Sequence, residues 1–173
     1  MKLYLLRHGD AVAHGDPKFK ENDRPLTPRG IQRTKQLAHA LRQMEISFEA
    51  VLTSPLARAK ETAEIVVRGM RLETKPKLVD HLTPSGSMEK LVHEIACLRP
   101  VPENVLLVGH EPYLSGFISL LCTGGPGLSL ALKKGGLCRL EVEVPSCAQC
   151  ATLEWLLQPR LLGSKPTKRS SGG

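Results

Sequence analysis

Apolar runs too short to be helices alternate along this chain with stretches of helical period, and that alternation decides the fold class. Leu3–Leu6, Ala50–Thr53 and Val105–Val108 read as buried strands, with Lys77–Val79 a weaker one. A polar stretch, His14–Pro25, reads as a loop. After it, Thr27 caps a first helix with Pro28 at its first position. Ile31, Leu37, Ala38, Leu41 and Met44 recur on one face of that helix. Pro55 opens a second helix with the stripe Leu56, Ala59, Ala63, Val66 and Val67. Met88–Leu98 and Tyr113–Leu121 supply two more. Near the end, Leu137–Val144 and Thr152–Leu157 approach period two and read as a terminal hairpin. The expected class is α/β: a three-layer α/β/α arrangement with a mostly parallel central sheet flanked by helices.

A chain of 173 residues suits one domain with a sizeable core, here expected over residues 1–160. Residues 161–173 read as a basic Ser/Gly-rich tail, carrying Lys165, Lys168 and Arg169 and no acid, and are expected to be disordered. Aromatic residues are only 3%, so the core must rest on Leu, Val, Ile and Ala. No apolar run reaches the ~18 residues of a membrane span, and the first residues enter a strand with no signal-peptide pattern. Both favour the cytoplasm. The net charge of +7 suits an anionic substrate. Nucleic acid is disfavoured as a partner, because no basic patch interleaved with aromatics appears. Of the five cysteines, Cys97, Cys122 and Cys138 read as free thiols in apolar segments. Cys147 and Cys150 have C-x-x-C spacing, but a zinc site needs two further ligands and no second pair is present, so the spacing reads as incidental.

The residues capable of chemistry fall at equivalent places in the pattern. Arg7-His8-Gly9 follows the first strand, Ser54-Pro55-Leu56-Ala57-Arg58 the second, and Gly109-His110-Glu111-Pro112 the central apolar strand. In a parallel sheet the carboxyl ends of the strands share one edge, where ligands bind. Arg7, Arg58, His8 and His110 would then converge on one pocket. Such crowding of positive groups is costly without an anion, and a phosphoryl group has the right charge and shape for arginine forks. Gly9 would let the backbone turn or approach a ligand.

These motifs, in this order, resemble the histidine phosphatase superfamily with its phosphoglycerate-mutase-like fold. The resemblance includes Ser54–Ala63 and the helix start Arg24-Pro25-Leu26-Thr27-Pro28-Arg29-Gly30, and it covers residues 1 to about 158. Leu6–Ala11 and the Gly135-Gly136-Leu137 start of the hairpin are most similar to SixA-type phosphohistidine phosphatases. The resemblance implies that His8 is the nucleophile, that Arg7, Arg58 and His110 hold the phosphoryl oxygens, and that no metal or cofactor takes part. It further implies a phosphohistidine-bearing protein as substrate. Gly9 and Asp10 would border the substrate. Asp10 either orients substrate or stabilises a turn.

The chain departs from the wider family where mutases and phosphomonoesterases carry a carboxylate acid past the third strand. Here that region reads Val79-Asp80-His81-Leu82-Thr83-Pro84, without a Glu and without the helical cap insertion. An alkoxide leaving group needs a proton, an effect worth about 10²–10⁴-fold. An imidazole, with an ordinary pKa near ~6.5, needs less help. Asp80 stays open as a substitute acid. A phosphatase for small or nucleotide-like esters and a non-catalytic phosphate-binding module are the competing readings. The unencumbered His8 nucleophile disfavours the binding module. His14, His39 and His93 read as solvated or helix-face residues, Ser54 as a helix cap, Thr62 as support for Arg58 or as packing, Glu111 as facing pocket or solvent, and Trp155 as packing.

Overall fold

The computed structural model describes residues 1–159, and the expected basic tail lies outside them. Chain order is β1 (Lys2–Arg7), α1 (Pro28–Gln43), β2 (Ala50–Thr53), α2 (Ala57–Met70), β3 (Lys77–Leu78), α3 (Met88–Ala96), β4 (Asn104–Gly109), α4 (Tyr113–Thr123), β5 (Leu137–Val142) and β6 (Ala151–Leu157). The strands form one sheet in the order β3-β2-β4-β1-β5-β6. Its pairings are parallel from β3 through β1, whereas β1–β5 and β5–β6 are antiparallel. The expected mostly parallel sheet is therefore corrected to a mixed one. The short β5–β6 connection is a hairpin, and a hairpin joins antiparallel neighbours, whereas parallel neighbours need a long crossover. No helix among the described residues is long and apolar enough to cross a membrane.

Two cores lie on opposite faces of the sheet. Leu3, Leu5, Leu52, Val105 and Leu107 face α3 and α4, where Leu91, Ile95, Leu114 and Phe117 meet them. Tyr4, Leu6, Val51, Leu106 and Val108 face α1 and α2, packing on Leu37, Leu41, Ala63 and Val66. Alternation along β1 and β4 thus serves two layers, and continuous apolar runs result. Each fully buried Leu or Phe contributes about 1.5–3 kcal/mol of transfer free energy. Trp155 packs edge-on against Tyr4 with ring centroids 5.9 Å apart, as its packing role requires.

The helix starts differ in how well sequence rules describe them. Thr27 caps α1 as expected, its Oγ1 accepting from Gly30 N–H at 3.0 Å, with Pro28 in the first turn. Met44 instead lies past the end of α1 and is exposed. α2 begins two residues after Pro55, and its N-cap Leu56 has no side-chain cap, so Ser54 is not the cap residue. Inside the polar loop, Glu21–Asp23 forms a single 3₁₀ turn.

Gly30 is where α1 docks onto the loop after β1. Asp10 O accepts from Thr27 N–H at 2.9 Å and from its hydroxyl at 3.2 Å. That approach puts Asp10 O only 2.0 Å from where a Cβ on Gly30 would stand. Gly30→Ala must push backbone away from backbone and is expected to cost about 1–3 kcal/mol. Gly125→Ala, with nothing within 4 Å of its Cβ position, should change stability by under about 0.5 kcal/mol. Urea denaturation of both variants checks the contrast, and equal stabilities would contradict it.

Candidate active site

Parallel register brings the three sequence motifs together. Arg7 pairs with Gly109 across β1–β4, and Thr53 with Val108 across β2–β4. The residues that follow, His8, Ser54 and His110, therefore emerge side by side at the carboxyl edge. The pairing continues past the strands: His8 N–H donates to Gly109 O, and Ser54 N–H to Val108 O, both at 3.0 Å. From the other side Gly135 N–H donates to Arg7 O and His8 O, each at 3.0 Å. Gly135 has φ +71°, which glycine adopts at little cost.

The His8 ring is 7% exposed and stands 5.1 Å, centroid to centroid, from the His110 ring. Its Nδ1 lies 2.8 Å from Gly9 O. A carbonyl only accepts, so Nδ1 carries the proton and Nε2 keeps a lone pair. Burial first, then Arg58, Arg7 and Lys134, push the His8 pKa down to about 3. Burial also leads for His110, followed by His8, Arg58, Arg7 and Arg24, again to about 3. Both imidazoles are therefore neutral near pH 7 in the substrate-free protein.

Arg7 donates through Nη1 to Leu132 O at 3.0 Å, and burial lowers its pKa while Glu111 and Asp10 oppose that shift. Arg58, on the first turn of α2, donates through Nη1 to Glu21 O at 3.0 Å, and its Nη2 lies 3.5 Å from the Glu21 carboxylate. Three buried nitrogens here have no partner among the described residues: Arg7 Nε, Arg58 Nε and His110 Nδ1. Buried polar groups are normally paired, so a cluster of unpaired ones at a cationic edge fits an absent anion.

Gly9 and Asp10 follow His8 directly, and α1 and α2 engage them. Gly9 N–H is bonded to Thr62 Oγ1 at 3.1 Å, and a Cβ on Gly9 would stand 2.9 Å from Thr34 Oγ1 of α1. Close packing, not a sharp turn, accounts for this glycine. The Asp10 carboxylate meets Arg33 at 3.2 Å and Arg29 at 4.0 Å. Thr62 supports the backbone of Gly9, while its own hydroxyl donates to Arg58 O at 2.7 Å. Glu111 accepts from the amide and hydroxyl of Ser115 on α4. Asp80 is exposed on the 3₁₀ turn Asp80–Leu82.

Four contributors were not legible as site residues. Glu21 binds Arg24 through Nε at 2.8 Å and through Nη2, and it meets His14 Nδ1 at 2.6 Å. Those hydrogen bonds, Arg24 first, hold its carboxyl at about 2. Arg24 is tied further to Val12 O at 2.6 Å. Lys134 adds charge beside His8, and Ser54 Oγ lies 2.9 Å from His110 Nε2. The i, i+3 spacing of Glu21 and Arg24 was the one available signal, and it marks a pair without saying which edge the pair joins. Among the described residues, no group of three or more His, Cys, Asp or Glu side chains could hold a metal ion.

The depressed imidazoles set a pH window. A folded pKa of about 3 against an unfolded ~6.5 means that the unfolded chain takes up protons first as pH falls. The contribution to stability is whole above pH ~6.5 and is lost progressively below it, with each ring adding a slope of about 1.4 kcal/mol per pH unit. Stability of the substrate-free protein should therefore fall from pH 6.5 to 4.5, and less steeply in His110→Gln. Identical slopes would contradict the assignment.

Residues 3–96 match the family described as Histidine phosphatase superfamily (branch 1). The chain is 38% identical over 142 residues to an uncharacterized protein of Picosynechococcus, covering 82% of this chain and 85% of that one. It is 29% identical over 125 residues to the phosphohistidine phosphatase SixA of Escherichia coli, covering 72% and 76%. The solved structure of the protein histidine phosphatase SixA complexed with tungstate superposes with a TM-score of 0.81 at 26% identity, over 94% of this chain and 99% of that one. A phosphoglycerate mutase of Bacillus anthracis shares the fold, with a TM-score of 0.65 at 17% identity. With its Arg-His-Gly, Ser-Pro-Leu-x-Arg and Gly-His-Glu-Pro elements on one sheet edge, this chain belongs to the histidine phosphatase superfamily.

Proposed function

We propose that this protein hydrolyses phosphohistidine on a partner protein, through a phosphohistidine intermediate on its own His8. The nucleophile is the Nε2 lone pair, because Nδ1–H is bonded to Gly9 O. The lone pair attacks phosphorus in line, and the P–N bond to the substrate imidazole, protonated on its other ring nitrogen, breaks with its electron pair returning to the leaving nitrogen. His8 keeps its Nδ1–H and so stands as a protonated phosphohistidine. Arg7, Arg58 and His110 face the three equatorial oxygens, where the charge of a loose phosphoryl transition state is spread. Water then attacks the phosphorus on His8 and regenerates the free ring. The first step exchanges one P–N bond for another, and the site supplies geometry and charge for the transfer.

The observation that carries the substrate class is the state of the carboxylates around the cations. Glu21, beside Arg58, is held ionised at about 2 by Arg24 and His14. Asp10 is paired with Arg33, and Glu111 accepts two hydrogen bonds from Ser115. Glu21, held as an anion, has no proton to give an alkoxide, and the carboxylates of Asp10 and Glu111 are engaged by Arg33 and Ser115. A phosphorylated imidazole that carries a proton on its other ring nitrogen leaves as a neutral base and asks for none, and its ordinary pKa of ~6.5 puts that proton within reach near neutral pH. The kinship with proteins named as phosphohistidine phosphatases supports the same reading.

Turnover of a phosphohistidine-bearing carrier protein should exceed that of a phosphoserine peptide by about 10²-fold or more in kcat/KM, the range attributed to a missing general acid. His8→Ala should release no phosphate from either. Comparable rates on the two substrates would contradict the substrate class and direct attention to Asp80 as the acid.

A further inference from the structure

Ser54 is wholly buried immediately after β2 and is held by its amide to Val108 O. Among the described residues its hydroxyl oxygen makes two hydrogen bonds. Leu56 N–H donates to it at 3.3 Å, and His110 Nε2 lies 2.9 Å away. A hydroxyl carries one proton and needs one acceptor for it. Leu56 N–H is a donor and cannot serve. If Nε2 carried the ring proton, two donors would point at the serine oxygen and the serine proton would have no acceptor. If Nε2 is bare, the serine O–H donates to it and both groups are satisfied. The ring proton then sits on Nδ1, which is buried and has no partner among the described residues.

We propose that Ser54 is a positioning residue that fixes His110 in its Nδ1–H tautomer, so that the neutral ring offers the phosphoryl oxygens a proton and not a lone pair. The inference rests on the proposed phosphoryl site at His8 and His110. It also resolves a tension in that site. Burial and the neighbouring arginines keep His110 uncharged, yet a neutral imidazole in the other tautomer would turn a lone pair toward an anion. The correct tautomer makes the ring a donor before any proton arrives.

The direct test is long-range ¹H–¹⁵N correlation NMR at pH 7 on the full chain labelled in histidine, with the His110 signals identified by their loss in His110→Gln. Wild type should show protonated Nδ1 and bare Nε2 at His110. Ser54→Ala should lose that preference while its melting temperature and the His8 signals stay close to wild type. It should also bind tungstate, an oxyanion of phosphoryl shape, about tenfold more weakly, as expected for one lost hydrogen bond to a charged group. Ser54→Thr, which keeps the hydroxyl, should restore the tautomer. Protonated Nε2 in wild type overturns the proposal without recourse to any variant. So does a Ser54→Ala protein with protonated Nδ1 and unchanged tungstate affinity. Failure of the phosphatase reading would look different: the tautomer and tungstate binding as expected, with no release of phosphate from phosphohistidine.

Discussion

The amide of His8 donates to Gly109 O while its carbonyl accepts from Gly135 N–H, and the rest of the site hangs from that double tie. β1 lies between β4 and β5, so the first residue past its end is held between the last residue of β4 and the chain leading into β5. Gly9 extends the grip by bonding Thr62 of α2 through its amide and the His8 ring through its carbonyl. A side chain placed this way, here the proposed nucleophile, has little freedom to move, and positional freedom removed before reaction is a large part of what a phosphoryl-transfer site supplies. The apolar runs of the sheet provide the rigidity, and the polar residues at their ends provide the chemistry.

Electrostatic cost is concentrated at the same edge. Two arginines lose solvation, two imidazoles are forced neutral, and three buried nitrogens have no partner among the described residues. A fold optimised for stability alone would pair these groups or replace them. Glu21 offsets part of the cost by lending its carbonyl and carboxylate to Arg58, and Arg24 with His14 holds Glu21 there. The remaining unpaired donors match an anion with several acceptor oxygens. The buried uncharged imidazoles and the crowded guanidinium groups are then two aspects of one arrangement, a site whose missing charge arrives with the substrate.

Much of this was legible in the sequence, and the reasons differ residue by residue. Strand–helix alternation put Arg7, His8, Arg58 and His110 at strand ends, and parallel strands share an edge, so their meeting followed from topology alone. The hairpin from Leu137 was legible too, but its antiparallel lie against β1 was not, because period two marks a strand without marking its direction. Ser54 and Glu21 escaped because their partners, His110 and Arg58, are 56 and 37 residues away in sequence. A serine before a helix reads as a cap by local rules, and local rules carry no information about what lies across the sheet. Gly9 was legible as the residue after His8, but its close approach to Thr34 of α1 was not, because that contact crosses from the loop to a helix. Asp10 divides its roles, with its carbonyl seating the start of α1 and its carboxylate meeting Arg33.

The central claim is that the phosphoryl group rests covalently on His8 between substrate and water. Rapid mixing with a ³²P-phosphohistidine carrier protein, quenching in alkali within milliseconds, and mapping of the labelled peptide tests it most directly. The account predicts a transient, acid-labile and alkali-stable label on the peptide containing His8, bonded at Nε2 and absent from His8→Ala. Release of phosphate at full rate with no label on the protein, or with label on another residue, would contradict it.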